Sequence, residues 1–278
     1  MTTTVSGTTS SRGGFWQYRA LILNFARRDL RARFKGTLLG FAWSLMLPIA
    51  TLVTYSIVFG VFFKGQQTPP FGTGRAGIFP VFLFSGLVVW TMYAVTLGTA
   101  IASLLGNGPL MKKIYFPPYA SVFGTALATF YQSLIEVGIL AVALLAFKNV
   151  SWTWLLIAGW FALFAAFVAA VSLLFSVMNV YFRDTSHIIG IVLTMQFYLT
   201  PIIYPITQVP GEWNGLPLRR LVELQPMAAF VETFRALVYS LELGSPRAWL
   251  TCLGWTVLAV GIAWLYYRRR GLDLSEEL

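Results

Sequence analysis

Residues able to do chemistry are few in this chain and unevenly placed. Among 278 residues there are ten carboxylates, one histidine and one cysteine. Glu136 is the one carboxylate inside a long apolar run, where a carboxylate is a candidate for proton or ion handling. Gln132, four residues earlier, shares its helix face and offers a hydrogen bond. His187 follows Asp184 at the border of an apolar run, a place for capping or headgroup contact rather than catalysis. Cys252 stands alone, which excludes an intrachain disulfide and a cysteine-based metal site. The acidic and histidine clusters needed for metal-assisted or acid–base catalysis do not assemble from neighbouring motifs.

Cations are better organised. Arg27, Arg28, Arg31, Arg33 and Lys35 crowd one short stretch, and Lys112 and Lys113 form a pair. Their chemistry is anion recruitment and docking. A phosphate-cradling loop would need G-x-x-x-x-G-K-[ST], and the chain contains no Gly-Lys dipeptide. It therefore does not hydrolyse ATP by that route.

The elements carrying these residues are set by composition. The chain is 57% hydrophobic and 11% charged, against about 25% charged in a typical soluble domain. Uncharged runs cover 36–63, 76–111, 114–135, 149–182, 185–211 and 248–267. Each reaches the roughly 20 residues that cross about 30 Å of hydrocarbon as a helix. The runs lack the alternation of barrel strands, and helices satisfy their own backbone groups. The expectation is an all-α integral membrane protein with six transmembrane helices, near 38–63, 78–105, 121–147, 153–178, 187–206 and 248–267. The net charge of +10 reads as a positive-inside bias rather than as a nucleic-acid surface. With the N-terminus inside, the inner segments hold 13 of the 20 basic residues, and the two short outer loops hold Lys64, Arg75 and Lys148. Both termini are then cytoplasmic.

Residues 1–14, Ser/Thr/Gly-rich, are expected to be a disordered tail rather than a signal peptide. Residues 15–37 read as an amphipathic helix on the cytoplasmic leaflet, with Leu23, Ala26, Leu30 and Phe34 on one face and Arg27, Arg31 and Lys35 on another. Trp16 and Tyr18 suit the headgroup region, and Asp29 and Arg33 form a potential i,i+4 pair. The arginines either anchor the first span alone or also dock a partner or an anionic lipid head. In 107–118, NGPLMKKIYFPP, Gly108 and Pro109 are expected to end a span, and 110–116 to form a short helix carrying Leu110, Lys112, Lys113 and the aromatic knobs Tyr115 and Phe116. Arg183 and Asp184 sit in a third inner turn. Pro201 and Pro205 are expected to break or kink the fifth span near its outer end. In the outer segment, 226–239 reads as an amphipathic helix with an apolar stripe of Phe230, Phe234, Leu237 and Val238. It either lies in the outer leaflet interface or re-enters the membrane.

Five stretches in order, RRDLRARFKGTLLGFAWSLMLP at 27–48, NGPLMKKIYFPP at 107–118, NVYFRDTSHI at 179–188, FYLTPIIYP at 197–205 and QPMAAFVETFRALV at 225–238, resemble permease subunits of polysaccharide-exporting ABC transporters. This class includes O-antigen, capsule, teichoic acid and galactan exporters of the Wzm type. The resemblance implies a homodimer of six-span subunits in the bacterial cytoplasmic membrane, joined to two separate ATPase subunits that bind ATP and Mg. This chain itself would hold no cofactor. It implies an interface helix at 16–35, a coupling or gate element within 107–118 and a periplasmic gate segment over 207–246. The implied substrate is a polyprenyl-diphosphate-linked glycan.

On that resemblance Arg27, Arg28, Asp29, Leu110, Lys112, Lys113, Tyr115 and Phe116 are expected to meet the ATPase. Arg31, Arg33 and Lys35, just before the first span, are expected to hold the lipid diphosphate. Trp90, Tyr93, Phe197, Tyr198 and Tyr204 are channel candidates, because sugars stack on aromatic rings; the alternative for each is a lipid-facing or belt position. A drug or lipid permease is the second reading. A membrane enzyme of lipid-linked glycan metabolism and a proton-coupled carrier leaning on Glu136 stand behind it.

Overall fold

A computed structural model describes residues 18–34, 43–62, 68–113, 116–271 and 274. The polar tail 1–14, Trp16, Lys35, Lys64 and Tyr115 lie outside the described residues. Within them every regular element is helical: α1 (Arg19–Phe34), α2 (Trp43–Tyr55, continued by a π-helical stretch Ser56–Phe62), α3 (Phe79–Met111), α4 (Pro118–Ala146), α5 (Ile157–Tyr181), α6 (Thr185–Leu199), α7 (Leu218–Leu224), α8 (Pro226–Arg235, continued by a π-helical stretch Ala236–Ser240) and α9 (Pro246–Arg270). Short 3₁₀ turns precede α5 at Trp152–Leu156 and follow α6 at Ile206–Gln208.

Proline sets several helix starts. Pro80, Pro118, Pro226 and Pro246 occupy the first turns of α3, α4, α8 and α9, and each helix follows an N-cap residue in extended conformation. Proline fixes φ near its helical value and lacks only a donor that a first turn leaves unused.

Four helices among the described residues are long and apolar enough to cross a membrane: Phe79–Met111, Pro118–Ala146, Trp152–Tyr181 and Pro246–Arg270. Two shorter apolar helices, Ile49–Val58 and Thr185–Leu199, accompany them. In lipid the bundle gains no hydrophobic driving force between helices, so packing and interhelical hydrogen bonds hold it together. One core cluster gathers Trp160, Phe164, Phe230 and Phe234 with α3 residues such as Phe82 and Trp90. A second, at the other end, joins Ile22 and Phe25 of α1 to Leu104, Phe116, Val177 and Leu274.

Local expectations needed correction in three places. Gly108 and Pro109 do not end a span: α3 runs through Pro109 to Met111. Proline removes one donor, while Gly108 O still accepts from Lys112 N at 3.1 Å and Asn107 Nδ2 ties the turn to Ser103 O and to Ser121 Oγ of α4, at 2.8 and 2.6 Å. No separate helix covers the described part of 110–116: Leu110 and Met111 finish α3, and Lys112 and Lys113 form a turn. Of the two outcomes expected for Pro201 and Pro205, a break is found: α6 ends at Leu199 and a turn follows.

The third correction concerns α1. Its buried side is Ile22, Phe25 and Ala26, while Leu23 is 44% exposed. The face pressed on α4 continues through Asp29 and Arg33, so polar residues occupy positions that an apolar pattern does not reveal. Gly124 makes the contact close: a Cβ there would lie 2.4 Å from Phe25 Cβ and 3.0 Å from Ile22 O.

Candidate functional site

The basic end of the molecule is built on the α1–α4 contact. Phe25 meets Phe116 at a centroid distance of 5.2 Å, and the Arg28 guanidinium lies 4.9 Å from the Phe25 ring centroid. Asp29 pairs with neighbouring Arg28 at 3.0 Å and accepts from Thr125 Oγ1 at 2.6 Å. Arg33 donates to Gln132 Oε1 at 2.8 Å and to Thr129 Oγ1 at 2.7 Å. The expected Asp29–Arg33 ion pair is therefore absent, because each residue finds a partner on α4. Burial lowers the Arg33 pKa from its ordinary value and nearby Asp29 raises it. Its place depends on the polar groups that α4 supplies.

Arg27, Arg28 and Arg31 remain exposed on α1. Lys112 and Lys113 are exposed in the turn after α3, Leu110 is half-buried, and Phe116 is buried rather than presented as a knob. Arg183, Asp184 and His187 are exposed between α5 and α6. Arg268, Arg269 and Arg270 are exposed at the end of α9, where Tyr181 Oη donates to Arg270 O at 2.9 Å. Of the proposed diphosphate ligands, then, Arg31 is free on the surface, Arg33 is engaged inside the subunit, and Lys35 lies outside the described residues.

Deeper in the bundle, Thr91 Oγ1 of α3 lies 2.7 Å from Glu136 Oε2 and 3.2 Å from Val88 O. Thr91, not Gln132, is thus the partner of Glu136. Gln132 is drawn to Arg33, although it sits on the helix face that sequence spacing assigned to Glu136.

The aromatic channel candidates separate into two groups. Trp90 and Tyr93 are buried in the subunit core. They belong to a ladder running from Tyr55 to Phe197 (6.1 Å), Phe197 to Trp90 (5.5 Å), Trp90 to Tyr93 (5.8 Å), Tyr93 to Phe167 (6.2 Å) and Phe167 to Phe230 (5.1 Å). Such offset and edge contacts tie α2, α6, α3, α5 and α8 together. Tyr198 is 63% exposed, and half-buried Tyr204 donates to Tyr198 O at 3.1 Å. Tyr198 extends an exposed stripe on α6 formed by Ile188, Ile191, Val192, Met195 and Leu199, and α2 carries another with Met46, Ile49, Val53 and Ile57.

At the opposite end α8 runs into the bundle instead of lying along its surface: Met227, Phe230, Val231 and Phe234 are buried. Trp160 Nε1 donates to Thr233 Oγ1 at 2.9 Å, and Trp160 stacks on Phe164 at 4.8 Å. The carbonyls at the end of this element are satisfied by side chains before α5. Asn149 Nδ2 donates to Val238 O and Tyr239 O at 3.0 and 2.8 Å, and Thr153 Oγ1 donates to Leu237 O at 2.8 Å.

Arg235, which the sequence reading passed over, is the most buried cation of this end. Its guanidinium donates to the carbonyls of Pro201 and Ile202 just beyond α6, to Ser85 Oγ at 3.3 Å and to Phe82 O at 3.4 Å on α3. Glu232 pairs with it at 3.5 Å, and its Cζ lies 3.9 Å from the Phe82 ring centroid. A Cβ at Gly86 would lie 2.4 Å from its Nη2. Arg235 therefore joins α8, α3 and the chain after α6 at one point. The available signal was its register: Val231, Arg235 and Val238 share a helix face with otherwise buried neighbours.

The model of the family described as "ABC-2 type transporter" matches residues 20–239. The chain is 26% identical over 266 residues to the O-antigen export system permease protein RfbA of Myxococcus xanthus, covering 95% of this chain and 97% of that one. It is 25% identical over 223 residues to an RfbA of Klebsiella pneumoniae, 78% of this chain and 79% of that one. It is 23% identical over 224 residues to the polysialic acid transport protein KpsM of Escherichia coli, 77% and 83% of the two chains.

Proposed function

The chain belongs to the ABC-2 type transporter family, and we propose that it is the membrane-spanning permease subunit of a polysaccharide exporter. One observation carries this reading: the family match spans 20–239, and relatives that align over most of their length are permeases and transport proteins of O-antigen and polysialic acid. The helices long and apolar enough to cross a membrane and the absence of a Gly-Lys dipeptide suit a subunit that moves substrate while a partner hydrolyses ATP.

The finer reading is a homodimer in the bacterial cytoplasmic membrane, with six spans and both termini cytoplasmic. Two ATPase subunits hold ATP and Mg, and the substrate is a polyprenyl-diphosphate-linked glycan. The exposed apolar stripes of α2 and α6 supply a surface for the second copy, with Tyr198 toward the glycan path. Exposed Arg27, Arg28, Lys112 and Lys113 suit an ATPase-facing surface, and exposed Arg31 suits contact with the lipid diphosphate. Arg33 and Phe116 support these surfaces from within.

Depletion of the protein in its native cell tests the substrate class. Lipid-linked glycan should accumulate on the cytoplasmic side. Normal surface glycan together with altered drug tolerance or lipid composition would instead identify a drug or lipid permease.

A further inference from the structure

The α7–α8 hairpin, the start of α9 and the chain after α6 line an open cavity of about 630 Å³, within the roughly 300–1,000 Å³ of small-molecule sites. Its depth can be placed. Trp255 Nε1 donates to Leu224 O at 2.7 Å at the end of α7, and Trp255 is nine residues into α9, about 13 Å along a helix. The turn between α7 and α8 therefore lies beside the body of α9, beyond its first turns.

The lining is unlike the rest of this weakly charged chain. Arg220, Glu223, Glu232, Arg235, Glu242 and Arg247 all border the one space, including three of the ten carboxylates. Three cations face three anions, yet the only ion pair among these six is Arg235–Glu232. Arg235 is committed to backbone carbonyls, and Glu232 receives a single contact at 3.5 Å. The charged ends of Arg220, Glu223, Glu242 and Arg247 have no hydrogen-bond partner among the described residues and are solvent-accessible.

This balance selects the ligand chemistry. A phosphate would meet three carboxylates, and an ammonium three guanidinium groups. A hydroxyl donates to a carboxylate and accepts from a guanidinium, so a neutral polyhydroxylated molecule uses both signs at once. The Phe82 and Tyr239 walls add apolar surface for C–H faces. A second cavity, about 300 Å³ beside Phe123 and Phe130, offers only the Thr96 hydroxyl among apolar groups and lacks this chemistry.

We propose that the α7–α8–α9 cavity is a saccharide-binding subsite, one in each subunit, that holds a neutral sugar unit of the exported glycan. The inference rests on the polysaccharide-export reading and adds a place and a contact chemistry to it. Carboxylates of Glu223 and Glu242 accept sugar hydroxyls, and Arg220 and Arg247 donate to sugar oxygens.

The test is calorimetric. The purified protein in nanodiscs is titrated with oligosaccharides released by mild acid from the cell's own envelope glycan, and separately with pyrophosphate. Saturable saccharide binding is expected, weakened at least about tenfold by Glu223→Gln with Arg247→Gln, at an unchanged melting temperature. That pair leaves the Arg235 contacts intact. Pyrophosphate should neither bind nor compete at the cavity. No saturable saccharide binding by the native chain, equal affinity in the double variant, or displacement by pyrophosphate overturns the subsite. Glycan export measured in cells separates the two ideas: export that depends on the chain without saccharide binding defeats only the subsite, while export independent of the chain defeats the underlying reading.

Discussion

Arg33 Nη1 donates to Gln132 Oε1 at 2.8 Å across 99 residues of sequence. This bond, with the one to Thr129, seats the basic helix α1 on α4. On the proposed reading, a surface that meets the ATPase transmits force only if it is held firmly to the spanning helices.

Arg33→Ala should leave Gln132 and Thr129 without their donor and loosen α1. A loss of about 1–3 kcal/mol is expected, read as a lower melting temperature and faster proteolysis within α1. Arg31→Ala, at an exposed position, should stay within about 0.5 kcal/mol of the native protein. Equal effects from the two would contradict the seating role of Arg33.

Gly124→Ala places a methyl 2.4 Å from Phe25 Cβ and should cost about 1–3 kcal/mol through overpacking. Gly138→Ala on the same helix meets nothing within 4 Å and should be neutral or mildly stabilising. Thermal unfolding of the two variants, side by side, checks the closeness of α1 to α4.

Arg235→Ala should be the most damaging single change at the other end. It strands Glu232 beside the vacated space and removes the donor shared by α3, α8 and the chain after α6. About 1–3 kcal/mol or more is expected, because the buried carbonyls of Pro201 and Ile202 lose their donor. Gly86→Ala should weaken the same junction, since its methyl would meet Arg235 Nη2. Retained melting temperatures in both variants would show that the junction contributes little.

Glu136→Gln should retain export and ATPase coupling, because glutamine keeps an acceptor for Thr91 at the same place. Export collapsing in this variant while the protein stays folded would assign Glu136 a proton-handling role.

Lys112→Glu with Lys113→Glu should reduce association with the ATPase subunit, most clearly at low salt where exposed charges act farthest. Both side chains are exposed, so stability should hold. Co-purification of the two subunits across a salt series reads the effect, and unchanged association would remove this turn from the interface.

Some of these features were legible in sequence for a local reason. Pro226 acts within one turn, and α8 starts there as expected. Long apolar runs announce membrane helices because their cost in water or lipid is a sum over residues. Pro109 misled because the same residue type is tolerated inside a helix once neighbours hold it, and those neighbours come from α4. Leu23 misled because an apolar residue facing lipid and one facing a core look alike in a pattern.

By itself the sequence determined that this chain is helical and membrane-embedded, where its cations gather and that it carries no phosphate-cradling loop. Only the tertiary structure decided which of the cations are free. Arg31 and Arg33 are two residues apart and chemically identical, yet one is exposed and the other is bonded inside the subunit. Arg235 sits in an amphipathic-looking segment and becomes a junction because carbonyls from Pro201 and Ile202 arrive beside it. The cavity charges converge from α7, α8 and the start of α9. Helix propensity and hydropathy depend on residues within a turn or two, whereas hydrogen-bond partners and cavity walls are supplied by segments distant in the chain. Those relations exist only after the helices have packed.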